Sequence, residues 1–211
     1  MAQAQNCRSF PLFEQTARWF EHAHAALLGE LPCRLGCSHC CVGIFPVTLL
    51  DEQIIRLGLN ELPDNHRERI VKTAAAQVMK LTESVPQLLT NRFVDHWPEQ
   101  ESEQVIEQGA AWPCPALESD GRCAIYLFRP LVCRSMGIPS EDEGLVDGAC
   151  AVQTAVPLIR LSTVLREEED RLAGQEAEQL EVLRHQKGVE GEEILLPFAF
   201  IPEVAAQVDS A

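Results

Sequence analysis

The chain has 211 residues, long enough for one sizeable core, and 46% of them are apolar, which marks a globular protein rather than a disordered one. Its 17 basic and 32 acidic residues leave a net charge of −15, which argues against nucleic acid or an anionic membrane as the main partner. No apolar run approaches the roughly 18 residues of a membrane span. The N-terminal stretch "MAQAQNCRSFPLFEQ" shows no basic flank followed by an apolar run, so no signal peptide is read and a cytoplasmic location is expected.

Residues 12–28 carry Phe13, Ala17, Phe20, Ala23 and Leu27 at helical spacing, with Gly29 as a stop. An irregular cysteine-rich loop follows. Thr48 with Asp51 three residues later predicts a capping box that opens a helix through about Leu57. A longer helix is expected from Asp64 or Asn65, with Ile70, Ala74, Val78, Leu81 and Val85 on one face. The acidic, weakly amphipathic "DHWPEQESEQVIEQ" reads as a short exposed helix. In "WPCPALESDGRCAIYLFRP" two early prolines, a turn at Asp120-Gly121 and then an apolar run predict a small hairpin or turn-rich lobe, with Tyr126 in the core. Arg129-Pro130 should start a short helix, because proline suits a first helical position.

Beyond Cys150, the leucines at 158, 161, 165 and 172 mark another amphipathic helix, with Thr154 as its cap and Pro157 in its first turn. A further helix is expected to end near Lys187, before Gly188. The proline-punctuated tail "EEILLPFAFIPEVAAQ" should pack as extended chain against the body. The expected fold is mainly α: a single helical domain over 1–211, with a cysteine-rich region over 31–150 and C-terminal helices plus extended tail over 151–211. Within it an irregular metal-binding centre sits beside a small hairpin or turn-rich lobe.

The chain carries nine cysteines. In a reducing compartment a clustered set points to metal ligation rather than disulfides, and the odd count fits a disulfide framework poorly. Cys7 stands apart, ahead of the first helix. The other eight fall into two groups: Cys33, Cys37, Cys40 and Cys41 in "CRLGCSHCC", then Cys114, Cys123, Cys133 and Cys150. Eight thiols divide into two tetrahedral four-thiolate sites, and Cys37 and Cys40 have the spacing of a metal knuckle. Adjacent side chains such as Cys40 and Cys41 are expected to diverge, which favours two ions close together or a polynuclear centre over one shared ion. Closing the loop of about 70 residues between the groups costs about 4 kcal/mol. Structural zinc returns about 10–16 kcal/mol, so a metal spanning both groups can staple the fold.

"CRLGCSHCC", followed by "CPALESDGRCAIYLFRPLVCRSMG" and Cys150, resembles the YkgJ-type family of CxxCxxCC proteins, described as zinc- or iron-chelating. The resemblance covers about residues 31–150 and implies chelation by Cys33, Cys37, Cys40, Cys41, Cys114, Cys123, Cys133 and Cys150. A related cluster occurs in flagellin lysine methylases, where the resemblance implies an iron–sulfur centre. Cys33, Cys37 and Cys40 also match the C-x3-C-x2-C spacing of radical SAM enzymes, but the chain shows no strand–helix alternation for their barrel.

Thiolate ligands suit both zinc and iron–sulfur clusters. The primary reading is therefore a metal-binding protein holding zinc or iron as two ions or a polynuclear centre, with a [4Fe–4S] cluster included. The alternative is an iron–sulfur or iron-dependent enzyme or electron carrier acting in protein or peptide modification. A protein partner or peptide substrate is expected, and no nucleic acid or membrane. His39 reads as solvated rather than ligating; His22, His24, His66, His96 and His185 have no partners evident from spacing. Arg34, Arg122, Arg129 and Arg134 lie beside or between the proposed ligands and are expected to offset thiolate charge.

Overall fold

The computed structural model describes residues 10–26, 37–138, 140–142, 145–147 and 161–202. These form seven α-helices and two small two-stranded antiparallel sheets. In chain order they are α1 (Pro11–Ala26), β1 (Pro46–Thr48), α2 (Leu49–Asn60), α3 (Asp64–Ser84), α4 (Glu99–Gln108), α5 (Leu131–Ser135), β2 (Ser140–Asp142), β3 (Leu145–Asp147), α6 (Thr163–Lys187), β4 (Glu193–Leu195) and α7 (Leu196–Ala199). Strand β1 pairs with β4 through Pro46↔Leu195, Val47↔Ile194 and Thr48↔Glu193, and β2 pairs with β3. The mainly helical architecture is the expected one. Among the described residues no helix is long and apolar enough to cross a membrane.

Helix α1 buries Leu12, Phe13, Thr16, Trp19 and Ala23, a stripe rotated from the one that periodicity indicates. Trp19 decides the rotation, because its large ring is buried and its Nε1 donates to Leu165 O at 2.8 Å, fastening α1 to α6. Phe20 is left half-buried beside the cysteines. Helix α2 begins with the predicted capping box, Asp51 N to Thr48 Oγ1 at 3.3 Å and Thr48 N to Asp51 Oδ2 at 3.2 Å. The next residue, Glu52, is buried with Arg56 at 2.8 Å, Arg92 at 3.0 Å and Lys187 at 3.7 Å around its carboxylate. Three cations offset the cost of that buried charge and tie α2 to the end of α6.

Helix α3 buries Ile70, Ala74, Gln77 and Leu81, so Gln77 takes the place expected for Val78, which is half-buried. Its amide donates to Pro113 O at 2.8 Å, one residue from Cys114. Helix α4 is exposed, as its acidic sequence predicts, and buries Val105 alone.

Three expectations for the C-terminal third are corrected. The chain from Thr163 to Lys187 is one helix, capped by Ser162 and ended by Gly188 at φ 66°, so Leu161 lies outside it; Thr154 and Pro157 fall outside the described residues. Gly174 interrupts nothing because it faces open space, where a mid-helix glycine costs only about 1 kcal/mol. Among the described residues the tail is extended over β4 and then turns into α7, since Pro197 in a first turn removes no needed donor; residues 203–207 of the expected stretch lie outside the described residues. Its residues 194–200 are all buried, so the expected packing against the body holds.

Two results follow from this packing. Gly58 of α2 lies against the turn that leads to α5: a Cβ there would meet Phe128 Cβ at 2.7 Å and Ile125 Cβ at 3.1 Å. Neither contact is with a flexible chain end, so Gly58→Ala should destabilise by about 2 kcal/mol despite alanine's better helix propensity. The thermal midpoint should fall by about 4–8 °C; an unchanged or higher midpoint contradicts so close a fit.

Burial pushes the Glu176 carboxyl on α6 from its ordinary 4.5 up to about 7, with Asp51, Glu192 and Glu193 adding repulsion. Between those values the folded chain holds a proton that the unfolded chain releases, so stability falls as pH rises through that window. Glu176→Gln should therefore stabilise by about 1 kcal/mol at pH 8, after allowance for partial exposure, and by clearly less at pH 5. Urea unfolding at both pH values checks this, and equal gains at the two would refute it.

Candidate metal centre

The two cysteine groups meet through main-chain pairing. Residues His39–Cys41 form a tight 3-10 turn closed by Cys41 N to Ser38 O at 2.9 Å. The chain then runs antiparallel to residues 112–114: Val42 pairs with Pro113, Gly43 N donates to Trp112 O and Cys114 N to Cys41 O, both at 2.7 Å. Cys41 and Cys114 thus become neighbours. After Cys114 the chain turns through Leu117 N to Cys114 O at 3.0 Å, reverses at Gly121 (φ 82°), and returns so that Cys123 pairs with Leu117. The expected hairpin is this one bridge, and the apolar run continues as a 3-10 turn, Tyr126–Phe128, in place of a strand.

Cys133 follows in the first turn of α5. That helix has five residues, too few to persist alone, and it is held at both ends. Leu131 N donates to Asp51 Oδ1 at 2.7 Å. Buried Arg134 reaches back to Leu127 O at 2.7 Å and Arg129 O at 3.0 Å.

Cys37, Cys40, Cys41, Cys114, Cys123 and Cys133 all line one cavity of about 890 Å³. Cys33, Cys150, Cys7 and Arg34 lie outside the described residues. Adjacent Cys40 and Cys41 do not diverge as expected: both residues line the cavity, and a side-chain hydrogen bond from Cys41 acts on Cys40. The tight turn brings them to one side, so adjacency itself does not require two ions.

Four of these thiols, those of Cys40, Cys114, Cys123 and Cys133, resist ionisation as they stand. Burial pushes Cys114 up to about 12 and raises Cys123 and Cys133, while Cys40 is raised first by its hydrogen bond with Cys41 and then by burial. Opposing this, the main-chain N–H groups of Ala116 and Leu117 are directed at Cys114, that of Ile125 at Cys123, and the Arg129 charge acts on Cys123 and Cys40. N–H groups and a guanidinium directed at sulfur favour its anionic form, which is the form that binds metal. By donor chemistry, then, the residues fit a soft thiolate-bound metal. Among the described residues no set of three or more His, Cys, Asp or Glu side chains already has the arrangement to hold an ion. A metal held by these cysteines would require the thiols to come closer together and to give up their protons.

The arginines divide by role. Arg129 lines the cavity, with its Nε on Tyr126 O at 3.1 Å and its guanidinium 3.8 Å above the Tyr126 ring. Tyr126 is therefore half-exposed, and its expected place in the core is corrected. Arg122 is engaged by Asp120, Nε to Oδ2 at 2.7 Å, and Arg134 by the carbonyls named above. His39 is exposed and does not line the cavity, as its solvated reading predicts. His24 and His66 do line it, which spacing did not reveal; His66 Nδ1 lies 3.5 Å from Glu118 Oε1. Helix α1 delivers His24 and α3 delivers His66, a juxtaposition with no local sequence signature.

The CxxCxxCC family model, "Putative zinc- or iron-chelating domain", matches residues 32–151, more than half of the chain. The chain belongs to the CxxCxxCC family. The matched span contains both cysteine groups and supports a metal-binding role, zinc or iron. Helices α1, α6 and α7 lie outside the CxxCxxCC span, yet Phe20, Leu196 and Phe200 from these flanking segments help to wall the thiol cavity. No curated protein and no solved structure matches the chain.

Proposed function

We propose that this CxxCxxCC protein holds zinc or iron in one centre built from Cys33, Cys37, Cys40, Cys41, Cys114, Cys123, Cys133 and Cys150. The observation that carries the reading is the single cavity shared by six thiols from both groups. The metal binds as two ions or a polynuclear centre, since eight thiolates exceed one tetrahedral shell. When bound, zinc supplies a structural crosslink, whereas an iron–sulfur cluster also supplies electron transfer. The chain's own part is to direct N–H groups and Arg129 at the sulfurs and to enclose them with apolar walls.

The cavity's size favours a second reading alongside the first. A water-sized occupant needs about 30 Å³, so about 890 Å³ leaves room for far more than metal. That volume and its apolar lining match an organic ligand site, which supports an iron-dependent enzyme or electron carrier acting on a protein or peptide group. The acidic surface makes nucleic acid and anionic membranes poor partners, in keeping with a cytoplasmic protein. Elemental analysis of anaerobically purified protein, with its visible spectrum, tests both readings. Stoichiometric zinc in colourless protein supports the structural reading, and iron with a visible chromophore supports the second. Protein that takes up neither metal overturns both.

A further inference from the structure

Asp51 does more than its capping box requires. A capping box uses one carboxylate oxygen on the N-cap N–H, and Oδ2 does this with Thr48 N. The other oxygen, Oδ1, crosses to Leu131 N, 80 residues away, at 2.7 Å. Asp51 as a residue is 2% exposed. At the far end of that bond, α5 opens after Pro130, which offers no side-chain cap, so the Leu131 N–H depends on Asp51. Cys133 sits two residues further on, in the same short turn.

We propose that Asp51 is a positioning residue for the thiol centre: its carboxylate fixes the start of α5 and so aims Cys133 into the cavity. The inference rests on the metal-centre reading above and adds a chain of control from the β1–α2 corner to a ligand. Both oxygens must accept, because both face main-chain N–H donors. Asparagine has the same shape but one accepting atom, so Asp51→Asn sets a donor against a donor at one of the two contacts. Thr48→Ala is the matched control: it removes the other half of the capping box and leaves the Oδ1–Leu131 bond in place.

The test uses the full-length protein as purified, comparing the parent with Asp51→Asn, Asp51→Glu and Thr48→Ala. Three quantities are read: metal per chain, the rate of metal loss to EDTA, and the alkylation rate of each cysteine by iodoacetamide, mapped by mass spectrometry. Asp51→Asn should lose metal about tenfold faster than the parent, the scale seen when a residue supporting a metal ligand is changed. Cys133 should show the largest rise in alkylation. Asp51→Glu keeps two accepting oxygens but displaces them, and should show the same selective rise at Cys133 to a lesser degree. Thr48→Ala should stay within about twofold of the parent. Equal behaviour of Asp51→Asn and Thr48→Ala, an even rise over all cysteines, or parent-like Cys133 in both Asp51 variants would overturn the proposal. A parent protein without metal would refute the metal centre, while selective exposure of Cys133 in Asp51→Asn would still support the positioning role.

Discussion

Replacing Cys123 by serine is expected to remove most of the bound metal, and Cys37→Ser is expected to do the same. The two residues come from opposite ends of the loop of about 70 residues, yet both line the one cavity. If each group held its own ion, either substitution would leave half the metal in place. A shared centre fails as a unit, because a ligand lost from either side leaves the remaining thiolates with an incomplete shell. The fold should loosen with it. Losing the crosslink returns about 4 kcal/mol of loop entropy to the unfolded chain, enough to lower the thermal midpoint by roughly 10 °C. Cys7→Ser is the control and should keep parent metal content and melting. Elemental analysis with a thermal melt reads all three variants. Full stoichiometry in Cys123→Ser would refute the shared centre, and metal loss in Cys7→Ser matching that in Cys37→Ser would show that the nine cysteines are wrongly partitioned.

Arg129→Ala should weaken metal retention with the fold intact. A four-thiolate zinc site, or an oxidised four-thiolate [4Fe–4S] cluster, carries about −2 overall, and the protein around it is strongly acidic. The Arg129 charge favours the ionised forms of Cys123 and Cys40, and its position is fixed by the Tyr126 ring and carbonyl. Arg122 and Arg134 make their bonds to Asp120 and to main-chain carbonyls. Removal of Arg129 should speed metal loss to a chelator by about tenfold. Arg129→Lys should recover only part of this, because lysine lacks the planar fork that stacks on a ring while reaching two acceptors. Retention equal to the parent, with an unchanged reduction potential where iron is bound, would contradict the charge-compensating role.

What the sequence reveals and what it hides divide along physical lines. The capping box at Thr48 and Asp51 is local, three residues wide, and reads directly. So do the exposed α4, from its glutamates, and the end of α6, from Gly188 after a basic last turn. Periodicity locates α1 but misorients it, since one buried tryptophan outweighs several smaller apolar residues. The apolar look of "CAIYLF" hides that Tyr126 serves as a platform for Arg129. For the candidate centre, cysteine spacing names eight candidate thiols, the six described ones line one cavity, and the main-chain pairing of residues 41–43 with 112–114 explains how the two groups meet. The long-range links have no sequence signature: the Asp51–Leu131 bond spans 80 residues, and His24 and His66 reach the cavity from separate helices.

The most direct measurement of the central claim is metal K-edge X-ray absorption on the anaerobically purified protein. A centre built by these cysteines predicts an all-sulfur first shell, about four scatterers per metal near 2.3 Å. A shell dominated by nitrogen and oxygen, or protein without stoichiometric zinc or iron, would contradict it.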